Sequence, residues 1–173
     1  MKNTRTLTLA SLFLAVMLIL GYLEHQFPIP SVIPGIKLGL SNSALLLGLY
    51  WLGTPISLAL MVCKVLLTGL ITGSFASPAM WFALAGGTVS MICMILTRKI
   101  PGMSPIGVGI AGGVTHNIGQ CIVAILFFGV PPRSFMLYTA ILMVVGAVMG
   151  VMTGTLAMQL MSRLPSSLRP KEL

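Results

Sequence analysis

Long apolar runs broken by short clusters of proline, glycine and charge organise the chain. With those clusters as punctuation, apolar segments fall at Thr6 to Leu23, Leu38 to Leu52, Pro55 to Ile71, Ala79 to Thr97, Ile106 to Phe128 and Phe135 to Leu160. Between Leu7 and Leu23 the clearly polar residues are Thr8 and Ser11. A membrane barrel would alternate polar and apolar residues over strands of about ten, so the pattern predicts helices. Most segments have the length of one bilayer crossing. The second is the shortest, because Lys37, Gly39, Ser41 and Asn42 dilute its beginning, and it is expected to start below the membrane surface. The prediction is an all-α integral membrane protein with six transmembrane helices in a single domain spanning residues 1–173.

Composition strengthens that reading. Apolar residues make up 57% of the chain and charged residues 7%, and the mean hydropathy is +1.05, a balance that water as main solvent does not support. The net charge of +8 then becomes an orientation signal. Lys2, Arg5, Arg98, Lys99, Arg163, Arg169 and Lys171 fall on one side of a six-span layout, against Lys37 and Arg133 on the other. Basic residues of short loops stay on the cytoplasmic side, which predicts a multi-pass cell-membrane protein with both termini cytoplasmic. The same charges attract anionic lipid heads. No basic aromatic surface suggests nucleic acid as a partner.

What is missing limits the chemistry. The chain contains no Asp, and its acids are Glu24 and Glu172. Paired-carboxylate catalysis and an acidic Mg²⁺ site for a prenyl diphosphate therefore have no residues to rest on. No Gly-x4-Gly-Lys-Ser/Thr sequence is present for a P-loop. Cys63, Cys93 and Cys121 each sit in an apolar span without a Cys or His at ligand spacing, so neither metal nor cofactor is expected. These observations predict no enzyme.

Three polar groups remain inside or beside the spans, where their cost raises the prior for function. Lys64 lies mid-span in Met61-Val-Cys-Lys-Val-Leu-Leu, about ten residues into its helix, too deep to snorkel easily. It can donate to backbone carbonyls within the bundle or face a ligand. Gly112-Gly-Val-Thr-His116-Asn117-Ile-Gly119-Gln120 sets His116 and Gln120 four residues apart on one helical face. That face suits interhelical hydrogen bonding as well as a ligand. Pro34-Gly-Ile-Lys37-Leu-Gly39-Leu-Ser41-Asn42 is a loop-to-helix transition whose helix N-terminus would offer free N–H groups to an anion; taken alone, the segment better suits an interfacial lysine with a Pro-Gly turn and a small-residue packing face. The candidate substrate-binding residues are thus Lys37, Asn42, Lys64, His116, Asn117 and Gln120. Because this group contains cations and amides without an acid, it predicts an anionic or hydrogen-bond-accepting metabolite. Glu24, if it folds back from the end of the first span, would shift the preference toward a neutral polar ligand.

Pro34-Gly35-x-Lys37-Leu38-Gly39-Leu40-x-Asn42, Gly86-Gly87-x-x-Ser90 and His116-Asn117-x-Gly119-Gln120 resemble the Gx transporter family, also known as heptaprenyl diphosphate synthase component I. That family in turn resembles the substrate-binding S components of energy-coupling factor transporters. The resemblance implies a compact six-helix bundle that binds a small metabolite and works with a transmembrane coupling protein and ATPase subunits. It also implies that Ala10, Ser11 and Ala15 of the first helix form the small-residue face that meets the coupling protein. The alternative is a non-catalytic membrane accessory subunit tied to isoprenoid or menaquinone metabolism. A self-contained carrier would be expected to show two repeats about a midplane site, and the sequence has no evident repeat.

Overall fold

The computed structural model describes residues 2–26, 39–129 and 131–163. They form six helices and no strand among the described residues: α1 (Lys2–Gln26), α2 (Leu40–Trp51), α3 (Thr54–Ile71), α4 (Pro78–Arg98), α5 (Pro105–Phe128) and α6 (Pro132–Arg163). Local signals set the ends. Pro55, Pro78 and Pro105 sit in the first turns of α3, α4 and α5, where a missing N–H costs nothing. Ser104 caps α5 by accepting from the Gly107 N–H at 3.2 Å. Gly129, at φ 61°, closes α5 in the left-handed conformation that glycine adopts without strain.

Consecutive helices run antiparallel, as the pairing of residues across each seam shows. Gly21 faces Ser41 across α1 and α2, while Gly48 faces Phe13; Gly87 meets Met61 across α3 and α4; Gly112 meets Met94 across α4 and α5. Across α5 and α6, Gly109 lies against Gly150 and Gly154, and Gly113 against Gly146. The C-terminal ends of α1, α3 and α5 and the N-terminal ends of α2, α4 and α6 therefore gather at one end of the bundle. The α2–α3 and α4–α5 turns and the outer ends of α1 and α6 gather at the other.

Five helices have the length and hydropathy to cross a membrane. α2 is different. Its twelve residues span about 18 Å, well short of a hydrocarbon core of about 30 Å. Nine of those residues, Ser41 and Ser43 to Tyr50, are buried, so α2 is the core of the bundle, wrapped by the longer helices. Lipid-compatible surface lies outside it, on Leu7, Leu12, Val16 and Ile19 of α1 and on Leu126, Phe127, Met136 and Leu137 around the α5–α6 connection. Phe13, Met17, Leu46, Leu49, Leu60 and Met91 fill the interior.

The two ends of α2 are held by charge. Arg98, in the last turn of α4, donates to the Leu49 carbonyl and lies over the Tyr50 ring, 5.1 Å from its centroid. At the opposite end, the Glu24 carboxylate of α1 accepts from the Leu40 N–H at 2.6 Å. An anion at a helix N-terminus meets unpaired N–H groups and the positive end of the helix dipole. In this chain a side chain of its own takes that place.

Candidate functional site

A cavity of about 380 Å³ lies between the middle of the bundle and the end where α1, α3 and α5 finish. All six helices contribute to its wall. Part of its wall is apolar, with Leu45, Met61, Met80 and Met94. The polar groups enter from three directions, and each is where it is for a local reason.

Lys64 reaches the cavity from α3. Its Nζ donates to Asn42 Oδ1 of α2 at 2.7 Å, which joins two of the three polar groups singled out in the sequence. A buried lysine without such a partner would carry a heavy desolvation penalty. Thr68 and Thr72 follow at intervals of four, on the face of Lys64 and one and two turns nearer the C-terminal end of α3. The Thr68 hydroxyl is shielded from solvent and has no hydrogen-bond partner. Thr72 and Ser74 share a hydrogen bond of 2.8 Å where the chain leaves α3.

His116 and Gln120 face the cavity from α5, with Gln120 Nε2 and His116 Nε2 3.3 Å apart. Room for the imidazole comes from α4. A Cβ placed on Gly86 would approach His116 Cε1 to 2.9 Å, so Gly86 is the residue that lets the ring sit between the helices. Asn117 also touches the cavity, and its Nδ2 donates to the Leu142 carbonyl of α6. Its amide therefore fastens α5 to α6 beside the Gly113–Gly146 crossing. Ser90 lies buried on α4 against Gly112.

Five of the six sequence-predicted binding residues thus line one cavity: Asn42, Lys64, His116, Asn117 and Gln120. Lys37 lies outside the described residues. The cavity wall includes an acid, Glu24, the residue on which the charge count made its reservation. One expectation is corrected. The N-terminus of α2 does not offer the free Leu40 N–H to an anion, because the Glu24 carboxylate occupies it. Thr68 was not foreseen either; the Lys64-x3-Thr68-x3-Thr72 spacing is the signal that could have found it. Among the described residues no group of three His, Cys, Asp or Glu side chains could hold a metal ion.

On α1, the three small residues do not share one environment. Ser11 and Ala15 are exposed on the outer surface, while Ala10 is half-buried against the core.

Comparison with known proteins gives one family. The family model described as heptaprenyl diphosphate synthase component I matches residues 13–160, from α1 to the last turns of α6. No curated protein and no solved structure gives a significant match.

Proposed function

The chain belongs to the heptaprenyl diphosphate synthase component I family, and from that premise we propose that it is the substrate-binding membrane subunit of an energy-coupling-factor-like transporter for a small polar organic metabolite. The observation that carries this reading is the cavity: Lys64, Asn42, His116 and Gln120, scattered over 79 positions of sequence, line it together. Keeping a lysine at mid-membrane depth costs roughly 2.5–3.5 kcal/mol on insertion scales. Packing alone does not require that expense, whereas a ligand with an acceptor group repays it.

The residues do not support the family name as a description of chemistry in this cavity: the chain's acids are Glu24 and Glu172, too few for the acidic clusters that hold Mg²⁺ against a diphosphate. If the link to prenyl diphosphate synthesis is physical, a partner does the chemistry and this chain is its membrane accessory.

Energy for transport must then come from ATPase subunits through a coupling protein, with exposed Ser11 and Ala15 of α1 available for docking. Both termini face the cytoplasm in this reading and the cavity opens to the other side. Cysteine labelling in intact cells tests the orientation: a thiol at Phe75→Cys, on the α3–α4 connection, should react from outside, and one at Met103→Cys should not.

The test of function is ligand retention. The full chain purified in mild detergent should carry a small metabolite, identified by mass spectrometry of the released compound. Lys64→Met keeps an unbranched apolar stem while removing the charge. It should lower affinity for that metabolite about tenfold or more without loss of the folded protein. Unchanged affinity would remove Lys64, and with it this assignment of the cavity.

A further inference from the structure

Among the described residues the cavity wall carries the acid Glu24 and the cation Lys64, and they are arranged around the same structural feature. Glu24 bonds the backbone of Leu40 and Lys64 bonds the side chain of Asn42, two residues further along the first turn of α2. Glu24 uses Oε1 for Leu40; its second oxygen has no hydrogen-bond partner among the described residues. Between the two charges stands Thr68, one turn above Lys64 on α3 and facing Gly21 of α1, three residues before Glu24. Its hydroxyl, shielded and unpartnered, is a group that structures seldom leave unsatisfied.

Resting on the substrate-binding reading above, we propose that the ligand is a small zwitterion whose ammonium group meets the Glu24 carboxylate and whose carboxylate meets Lys64, with the Thr68 hydroxyl accepting from the ammonium or donating to the carboxylate. A simple anion would be drawn to Lys64 and repelled by Glu24, and a simple cation would suffer the reverse. A molecule carrying both charges on groups attached to one carbon, as in an α-amino acid, satisfies both. The cavity volume leaves room for a side chain of modest size against the methionines and the His116–Gln120 face. In this arrangement Glu24 does two things: one oxygen holds the start of α2, and the other recognises the ligand.

The experiment uses the full chain in lipid nanodiscs and isothermal titration with the standard amino acids, each beside its decarboxylated amine and its des-amino acid. At least one amino acid should bind, with its amine and its des-amino acid about tenfold or more weaker. Glu24→Gln retains an amide oxygen to accept from Leu40 N–H while losing the charge. It should weaken the amino acid about tenfold or more and abolish discrimination against the des-amino acid. Thr68→Val, which breaks no internal hydrogen bond, should weaken binding about threefold to tenfold with unchanged thermal unfolding of the ligand-free protein.

Equal binding of the amine or the des-amino acid overturns the proposal. So does an unaltered preference in Glu24→Gln, or binding by none of the amino acids. These failures separate from that of the underlying reading. A co-purified non-zwitterion lost in Lys64→Met removes the zwitterion and keeps the substrate-binding subunit, whereas no retained ligand and no binding by any compound removes both.

Discussion

The two halves of the bundle are joined by different physics. α4, α5 and α6 meet backbone to backbone: a Cβ on Gly119 would lie 2.8 Å from the Ala85 carbonyl oxygen, one on Gly109 2.5 Å from the Gly150 carbonyl oxygen, and one on Gly154 2.5 Å from Ile106 Cα. α1, α2 and α3 meet through side chains, with Phe13 edge-on to Trp51 at 5.8 Å and Met17, Leu46 and Leu60 filling the space between. In a bilayer, where lipid tails are as apolar as leucine, close backbone approach is a main source of helix association. The glycine-joined half therefore forms a closely fitted wall that fixes His116, Asn117 and Gln120. The side-chain-packed half holds Lys64, Asn42 and Glu24, and it depends on a few polar contacts to keep them in place.

Glycine-to-alanine substitution probes that difference with a single methyl group. The largest effect is expected for Gly113→Ala, whose Cβ would overlap the Gly146 carbonyl and leave no flexible neighbour to yield. The helices must separate along the whole α5–α6 seam. A loss of about 3 kcal/mol or more is expected, read as a sharp fall in folded yield and thermal stability in detergent. If Gly113→Ala is as stable as the parent, the two halves do not differ in the way described.

Arg98→Met asks how far the other half relies on its polar ties. It removes the charged hydrogen bond to the Leu49 carbonyl and the contact with the Tyr50 ring. Together these are worth about 2 kcal/mol. Thermal stability should fall by less than for Gly113→Ala, and accessibility of a reporter thiol at the α2–α3 turn should rise. A fall without any change at that turn would mean that Arg98 does not anchor α2.

These contrasts bear on what the sequence revealed. Helix number and boundaries were readable because apolar runs end at Pro55, Pro78, Pro105 and Gly129, residues whose backbone constraints act locally. Lys64, His116 and Gln120 could be singled out because a polar residue in an apolar run is costly wherever it faces. Glu24 stood only as a conditional reservation for a corresponding reason. Its role depends on meeting Leu40, sixteen residues later, and nothing in the local pattern reports which helix N-terminus a carboxylate will reach. The glycine seam was half visible: Gly109, Gly113, Gly146, Gly150 and Gly154 stand at intervals of four, yet partners across a seam are a property of packing. Asn117 read as a companion of His116, whereas its Nδ2 is directed to Leu142 on the neighbouring helix.

Gly87→Ala tests the seam between the halves. Its Cβ would approach Met61 Sδ to 3.0 Å, tight, but against the end of a flexible thioether chain that can rotate away. A cost below about 1 kcal/mol is expected. Because Gly87 and Met61 both line the cavity, ligand affinity should change more than stability does. A stability loss matching that of Gly113→Ala would place the α3–α4 seam with the backbone-joined half.

Gly21→Ala should have the smallest effect on the fold. The nearest neighbours of its Cβ would be Ser41 Cβ and Oγ at 3.8 Å and Thr68 Oγ1 at 4.0 Å, ordinary van der Waals contacts with side chains of α2 and α3. Alanine is favoured over glycine in a helix by up to about 1 kcal/mol in water, so thermal stability should stay level or rise slightly. The methyl group would nevertheless stand in the cavity wall beside the Thr68 hydroxyl, three residues before Glu24. If that part of the wall receives the ligand, affinity falls while the protein becomes no less stable, the opposite of the pattern expected for Gly113→Ala. Titration of the retained metabolite against both proteins separates the cases. Unchanged affinity in Gly21→Ala would move the ligand away from α1 and toward the His116 wall, whereas a loss of stability would mean that α1 packs as closely as α5 and α6 do.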